Sequence, residues 1–244
     1  MMFWISAISK SLLQQHRRLM VLLLIGIILP WGIFLKASSE IREGEGFPGD
    51  QWVLQWLHAR ATPALDQLFL LLTRLGGPPV MATLAGLIAS LLFWRRQRRH
   101  AWFFSVAVGG AAALNIAAKL LLGRVRPALW VSLAPETTPS FPSGHAMGSA
   151  ALVLTLGLLL AHSRWRGLLW GLGALFVLGV GVSRLYLGVH YPSDVLAGWI
   201  ASVGWVSGVY LLFSPYLREL EQLIRQRHQA HRHRPPRSTT TPQL

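Results

Sequence analysis

Six apolar runs decide what this chain can fold into. They span Leu19–Leu35, Pro78–Trp94, Ala101–Leu122, Ala146–His162, Gly167–Leu187 and Val195–Phe213, each 17 to 22 residues long and nearly free of charge. An α-helix rises about 1.5 Å per residue, so a run of this length crosses the ~30 Å hydrocarbon layer of a bilayer. In hydrocarbon each backbone polar group must be satisfied within the protein, and a helix does this inside a single segment. Of the 244 residues, 52% are hydrophobic and 13% charged, where a soluble domain carries about 25% charged residues. The expected fold is therefore all-α: an integral membrane bundle of six transmembrane helices over residues 19–213. It is flanked by an N-terminal segment, 1–18, and a basic, partly disordered tail, 214–244.

A net charge of +14 suggests nucleic acid if read alone. Its placement points elsewhere. Threading six spans with the N-terminus inside puts 15 of the 23 Lys and Arg on one side, among them Arg17, Arg18, Arg95, Arg96, Arg98, Arg99, Arg164, Arg166 and six arginines after Phe213. Cytoplasmic segments carry this excess, so both termini are expected in the cytoplasm, and nucleic acid is not an expected partner. Leu19–Leu35 is long for the apolar core of a cleavable signal peptide and is read as a retained span. The chain has no cysteine, so disulfides, thiolate nucleophiles and thiolate metal sites are excluded.

Between the first two runs, residues 36–77 form an external segment. Gly44, Gly46, Pro48 and Gly49 mark a loop, and Trp52–Leu75 reads as an apolar helical stretch, open to packing against the bundle, the favoured reading, or to lying along the membrane surface as a wall for a lipid. Residues 1–18 combine an apolar start with His16, Arg17 and Arg18, a pattern open to an interfacial helix or a frayed end. His228, His231 and His233 belong to the basic tail and are read as solvated rather than metal-binding.

Three polar clusters interrupt the apolar pattern: KLLLGRVRP (Lys119 to Pro127), PSGH (Pro142 to His145) and SRLYLGVHYPSD (Ser183 to Asp194). The alternating topology brings all three to the non-cytoplasmic face. Charged groups at such depths are costly and mark function. Lys119 and Arg126 are seven apart, about two helical turns, and share a direction if the helix persists that far; Pro127 disfavours helix at Arg126. Ser143 can cap the fourth helix, Gly144 permits close backbone approach, and free N–H groups at that helix start suit a phosphate oxygen. His190 and Asp194 are four apart, so the carboxylate can accept a ring N–H and fix the tautomer. Arg184 offers a planar fork for two phosphate oxygens. Arg124 and Glu136, the other charges in this region, are read as solvated loop residues.

In these motifs the chain resembles the type 2 phosphatidic acid phosphatase family, whose pattern is K-x6-RP, PSGH and SR-x5-H-x3-D. The family includes bacterial undecaprenyl diphosphate and phosphatidylglycerophosphate phosphatases. Lys119, Arg126, Pro127, Pro142, Ser143, Gly144, His145, Ser183, Arg184, His190 and Asp194 match every fixed position. The resemblance implies that His190 attacks phosphorus, Asp194 orients it, and His145 protonates the leaving oxygen and then activates water. It also implies that Lys119, Arg126, Ser143, Gly144 and Arg184 hold the phosphate, with no metal or other cofactor. The implied activity is hydrolysis of a lipid phosphate or diphosphate at the periplasmic face of a bacterial inner membrane. Undecaprenyl diphosphate and phosphatidylglycerophosphate lead as substrates, and the bilayer and the lipid are the expected partners. A lipid-to-lipid phosphotransferase would use the same site; a non-catalytic lipid transporter or binding protein would have little use for both histidines. Oligomeric state is not legible.

Overall fold

The computed structural model describes residues 19–44 and 46–214. The N-terminal segment, Glu45 and the basic tail with its three histidines lie outside the described residues, so the readings made for them stand as expectations. Among the described residues the structure is all-helical, without strands. Helix α1 is Leu19–Arg42, followed by α2 (Asp50–His58), α3 (Pro63–Leu75), α4 (Pro78–Trp94), α5 (Arg98–Leu122), α6 (Gly144–Leu159), α7 (Arg166–Tyr186) and α8 (Pro192–Phe213).

Local sequence explains the boundaries. Thr62 caps α3, its hydroxyl accepting from Leu65 N at 3.3 Å, and Pro63 fills the first helical position, where no N–H is needed. Gly77 precedes α4 with two prolines at its start. Inside α1 the turn Leu24–Ile28 widens to π-helix just before Pro30. A proline ring would otherwise press on the carbonyl four residues back, and the wider turn accommodates it. Gly123, with φ +58°, ends α5 in the left-handed conformation that a residue without Cβ adopts at no steric cost.

Each of the six predicted runs is helical, but they are not equivalent as spans. Helices α1, α5, α7 and α8 are individually long and apolar enough to cross a membrane, and α3 with α4 forms a fifth candidate bent by 43°. Helix α6 is apolar but has only 16 residues. It is the buried centre, packed against α4, α5, α7 and α8. Where α6 meets α8 the backbones nearly touch: a Cβ on Gly198 would stand 2.9 Å from the carbonyl oxygen of Ser143. Trp205 of α8 crosses to α5 and donates its indole N–H to the carbonyls of Val106 and Ala107 at 3.2 and 3.0 Å. The outward faces carry exposed Leu87, Trp102, Leu120 and Leu175, an apolar surface of the kind a bilayer covers.

The stretch Trp52–Leu75 divides into α2 and α3, separated at residues 59–62. Helix α3 packs on α7. Leu65, Phe69 and Leu70 surround Tyr186, Leu187 and Val189, and the Tyr186 hydroxyl donates to Asp66 at 2.6 Å. This fixes the outer end of α7, which carries Arg184.

Candidate active site

Lys119, Arg126 and Arg184 come from three different places and meet around one stretch of loop. Helix α5 stops at Leu122, so Lys119 and Arg126 do not share a helical face; the turn at Gly123 brings them together instead. Lys119 donates to the Thr138 hydroxyl at 3.3 Å and to the Pro139 carbonyl. Arg126 donates to the carbonyls of Thr138 and Val189, each at 2.6 Å, and to the Thr138 hydroxyl at 3.1 Å. Burial pulls the Arg126 pKa below its ordinary value, and the nearby Glu136 and Asp194 carboxylates oppose that shift. Arg184 is buried at the end of α7 with one arm on the Thr73 hydroxyl of α3.

Against this cluster lies His190, 1% exposed, at the turn before α8. Its Nε2 is 3.1 Å from Nη1 of Arg126. A guanidinium only donates, so Nε2 meets it with a lone pair and the ring proton belongs on Nδ1. Nδ1 faces Oδ2 of Asp194 at 3.4 Å and the Ser140 hydroxyl at 3.3 Å. Burial pushes the His190 pKa down to about 3, with Asp194 pulling the other way, so the ring is neutral near pH 7. An unprotonated nitrogen beside Arg126 and within the field of Arg184 is what a nucleophile toward a phosphate requires.

Asp194, in the first turn of α8, is held more firmly than the histidine requires. Oδ2 accepts from the Ser140 hydroxyl at 2.5 Å and from Tyr191 N at 2.9 Å, and Oδ1 pairs with Arg124 at 2.6 Å. Arg124 reaches on to Asp50 at 3.0 Å, and Asp50 accepts from Ser193 N at 3.0 Å and from the Ser193 hydroxyl at 2.6 Å. Arg124 is therefore not a solvated loop charge. It is buried between two carboxylates and lies over the Tyr191 ring at 4.2 Å.

Glu136 also departs from the sequence reading. Its carboxylate pairs with Arg184 at 2.5 Å and with Arg126 at 3.3 Å, and lies 3.8 Å from Nδ1 of His145. Cations drawn into one apolar shell attract the nearest mobile carboxylate, which a loop-charge reading does not anticipate. Ser143 occupies the N-cap position of α6, but its hydroxyl caps nothing. The Ser143 hydroxyl and Nε of Arg184 are both buried without a hydrogen-bond partner. Gly144 abuts Asn115, whose Oδ1 lies 2.9 Å from where a Cβ would sit, and Asn115 Nδ2 donates to the Pro142 carbonyl at 3.1 Å. Asn115 precedes Lys119 by one helical turn on α5, a spacing that marks it in sequence. No such pattern marks Asp50, Thr73, Ser140 or Glu136.

Two cavities adjoin at this point. A cleft of about 550 Å3 opens between Pro135–Thr138 and the α3–α4 turn, with Glu136, His145 and Arg184 on its walls. An apolar groove of about 460 Å3 runs between α4, α5 and α6 and is lined by small residues such as Ala82, Ala85, Gly109 and Ala112. Both include Pro78, and Gly144 and His145 stand at their junction.

An all-helical bundle of candidate membrane spans, with a buried histidine against the Arg126 guanidinium and Lys119 and Arg184 on the neighbouring loop, is that of a membrane lipid phosphatase. Residues 100–217 match the PAP2 superfamily. The chain is 30% identical over 212 residues to an undecaprenyl-diphosphatase of Sulfolobus acidocaldarius, covering 84% of this chain and 96% of that protein. It is 30% identical over 142 residues to phosphatidylglycerophosphatase B of Bacillus subtilis, covering 56% of this chain and 70% of the relative. Its fold is similar to the crystal structure of a transmembrane PAP2 type phosphatidylglycerolphosphate phosphatase from Bacillus subtilis, with a TM-score of 0.66 at 24% identity over 79% of this chain and 96% of that one. The chain belongs to the PAP2 superfamily.

Proposed function

We propose that the protein hydrolyses a lipid phosphate or diphosphate through a phosphohistidine on His190, with undecaprenyl diphosphate and phosphatidylglycerophosphate as the leading substrates. The observation that carries this reading is the approach of the unprotonated Nε2 of His190 to Arg126, at 3.1 Å, inside a ring of cations. The ring has buried donors to spare at Ser143 and Arg184. The junction of the cleft that holds Glu136, His145 and Arg184 with an apolar groove supports an amphiphilic substrate, its phosphate at the Arg184 end of the cleft and its chain along α4–α6.

In the first step the Nε2 lone pair attacks phosphorus and the bond from phosphorus to the lipid oxygen breaks. His145 supplies the proton that the leaving oxygen takes; burial and then the Arg184 charge favour its neutral form, so this role requires the bound phosphate dianion to draw the proton onto the ring. Asp194 holds the Nδ1 proton and balances the charge that develops on the ring. Lys119, Arg126 and Arg184 stabilise the equatorial oxygens, where charge accumulates. In the second step His145 takes a proton from water, the resulting oxygen attacks phosphorus, the P–N bond breaks and phosphate leaves. The six helical runs span the membrane with both termini in the cytoplasm, and the site faces the periplasm or cell exterior of a bacterial plasma membrane. The basic loops Arg95–His100 and Arg164–Arg166 support that orientation.

The test is phosphate release by detergent-purified full-length protein from undecaprenyl diphosphate, phosphatidylglycerophosphate and phosphatidic acid, each with EDTA present. Release is expected with EDTA and is lost in His190→Ala. Release that survives the substitution sinks the assignment of the nucleophile, and transfer of phosphate to a lipid hydroxyl in place of water would identify a phosphotransferase.

A further inference from the structure

We propose that the loop segment Glu136–Pro139 is an internal occupant of the phosphate site, and that the Glu136 carboxylate sets the affinity of that site for anionic ligands. This rests on the phosphatase reading for the identity of the site, but it concerns anion binding and not the chemical step.

The segment is bound by every cation assigned to the phosphate. The Glu136 carboxylate bridges Arg184 at 2.5 Å and Arg126 at 3.3 Å, as two oxygens of a phosphate would. The Thr138 carbonyl and hydroxyl take two further donations from Arg126, and the Pro139 carbonyl and Thr138 hydroxyl take Lys119. A phosphate cannot use these donors while the segment does, and a dianion cannot share two guanidinium groups with a carboxylate without strong like-charge repulsion.

The occupant is a poor substitute for the ligand. A planar carboxylate offers two oxygens, and the Ser143 hydroxyl and Arg184 Nε remain buried without partners. A tetrahedral phosphate has oxygens left for them. The segment is also built to leave. It has no regular secondary structure, its Glu136 side chain is 26% exposed, and Thr137 and Thr138 are exposed. It is tethered on both sides, at Ala134 against the Tyr186–Val189 cluster and at Ser140, whose N–H bonds the Arg124 carbonyl at 2.8 Å. Displacing residues 135–139 between these tethers disturbs no core packing.

A site that is open for only part of the time binds its ligand more weakly by that fraction; if the segment vacates about a tenth of the time, neutralising the carboxylate tightens anion binding about tenfold. The experiment is isothermal calorimetry of inorganic phosphate and of tungstate with the full-length protein in detergent, comparing wild type, Glu136→Gln, Glu136→Asp and Arg184→Gln. The expected result is about tenfold tighter binding of both anions by Glu136→Gln, near wild-type affinity for Glu136→Asp, and loss of binding in Arg184→Gln. Equal or weaker binding by Glu136→Gln would overturn the proposal, because the carboxylate would then be organising the cations instead of competing for them. Phosphate release is assayed in parallel. Anion affinities that follow this order without lipid hydrolysis would defeat the phosphatase reading and leave the occupant reading intact.

Discussion

At the scale of single residues, the site is organised around a histidine kept neutral by its surroundings. Burial holds the His190 pKa near 3, against 6.5 for a free imidazole. Between those values the unfolded chain binds a proton that the folded chain refuses, so this residue's contribution makes stability fall as pH drops from about 6.5 toward 3, and the loss is absent above 6.5. His190→Asn removes the titrating group and keeps a polar side chain. Thermal unfolding in detergent at pH 7, 5.5 and 4.5 is expected to show a shallower acid loss for this variant than for wild type. Parallel slopes would mean that the imidazole is not held neutral. The neutral ring also suits the chemistry: a nucleophile already free of its proton needs only orientation, and Asp194 with Ser140 supplies it.

At the scale of elements, a charged tie that the family pattern does not contain joins the first and third motifs to the start of α2. Asp50 at the start of α2, Arg124 after α5 and Asp194 in the first turn of α8 form a continuous pair of ion pairs at 3.0 and 2.6 Å. Each end also caps structure, since Asp50 accepts from Ser193 N and Asp194 from Tyr191 N. Arg124→Ala would leave two largely buried carboxylates uncompensated, which costs about 3–5 kcal/mol in stability. It is also expected to lower kcat by about tenfold or more while changing KM little, because in the proposed mechanism Asp194 orients the histidine and does not touch the phosphate. Arg124→Lys keeps the charge without the fork and should recover part of kcat. An unchanged kcat in a folded Arg124→Ala protein would show that the tie is structural only. The central helix follows the same logic of local constraint. Helix α6, at 16 residues, begins only at Gly144, where the Pro142–Gly144 corner approaches α8 closely enough that position 198 has room only for glycine.

At the scale of the whole molecule, fold and chemistry agree on one amphiphilic axis. The apolar groove along α4–α6 and the cationic cleft meet at Pro78 and Gly144, so a lipid with its phosphate in the cleft keeps its chain in hydrocarbon. The orientation of this axis is open to direct measurement, because the chain has no native cysteine. Single cysteines at Val131, which is 95% exposed on the loop over the site, and at Gln97, exposed between α4 and α5, report opposite faces. With a membrane-impermeant maleimide on intact cells, Val131→Cys is expected to label and Gln97→Cys to label only after the cells are opened. The reverse pattern would place the site in the cytoplasm and overturn the assigned topology.

The sequence by itself determined the helical runs and the absence of thiol chemistry, and it singled out the histidines, the aspartate and the three cations that the proposed mechanism uses. Those features are written in local periodicity, in composition and in motifs whose spacing is fixed along the chain. Only the tertiary structure decided the rest. Among the described residues four helices are individually long and apolar enough to cross a membrane where six runs read alike, and the burial of the short α6 is a property of its neighbours. Lys119 and Arg126 meet through a glycine turn and not along a helix, because both grasp Thr138 and Pro139, 12 to 20 positions further on. Glu136 and Arg124 look like loop charges in sequence; one bonds Arg184, 48 positions away, and the other Asp50, 74 positions away. No local pattern encodes contacts at that range. They exist because packing brings unlike charges into one low-dielectric shell, where leaving either unpaired would be costly.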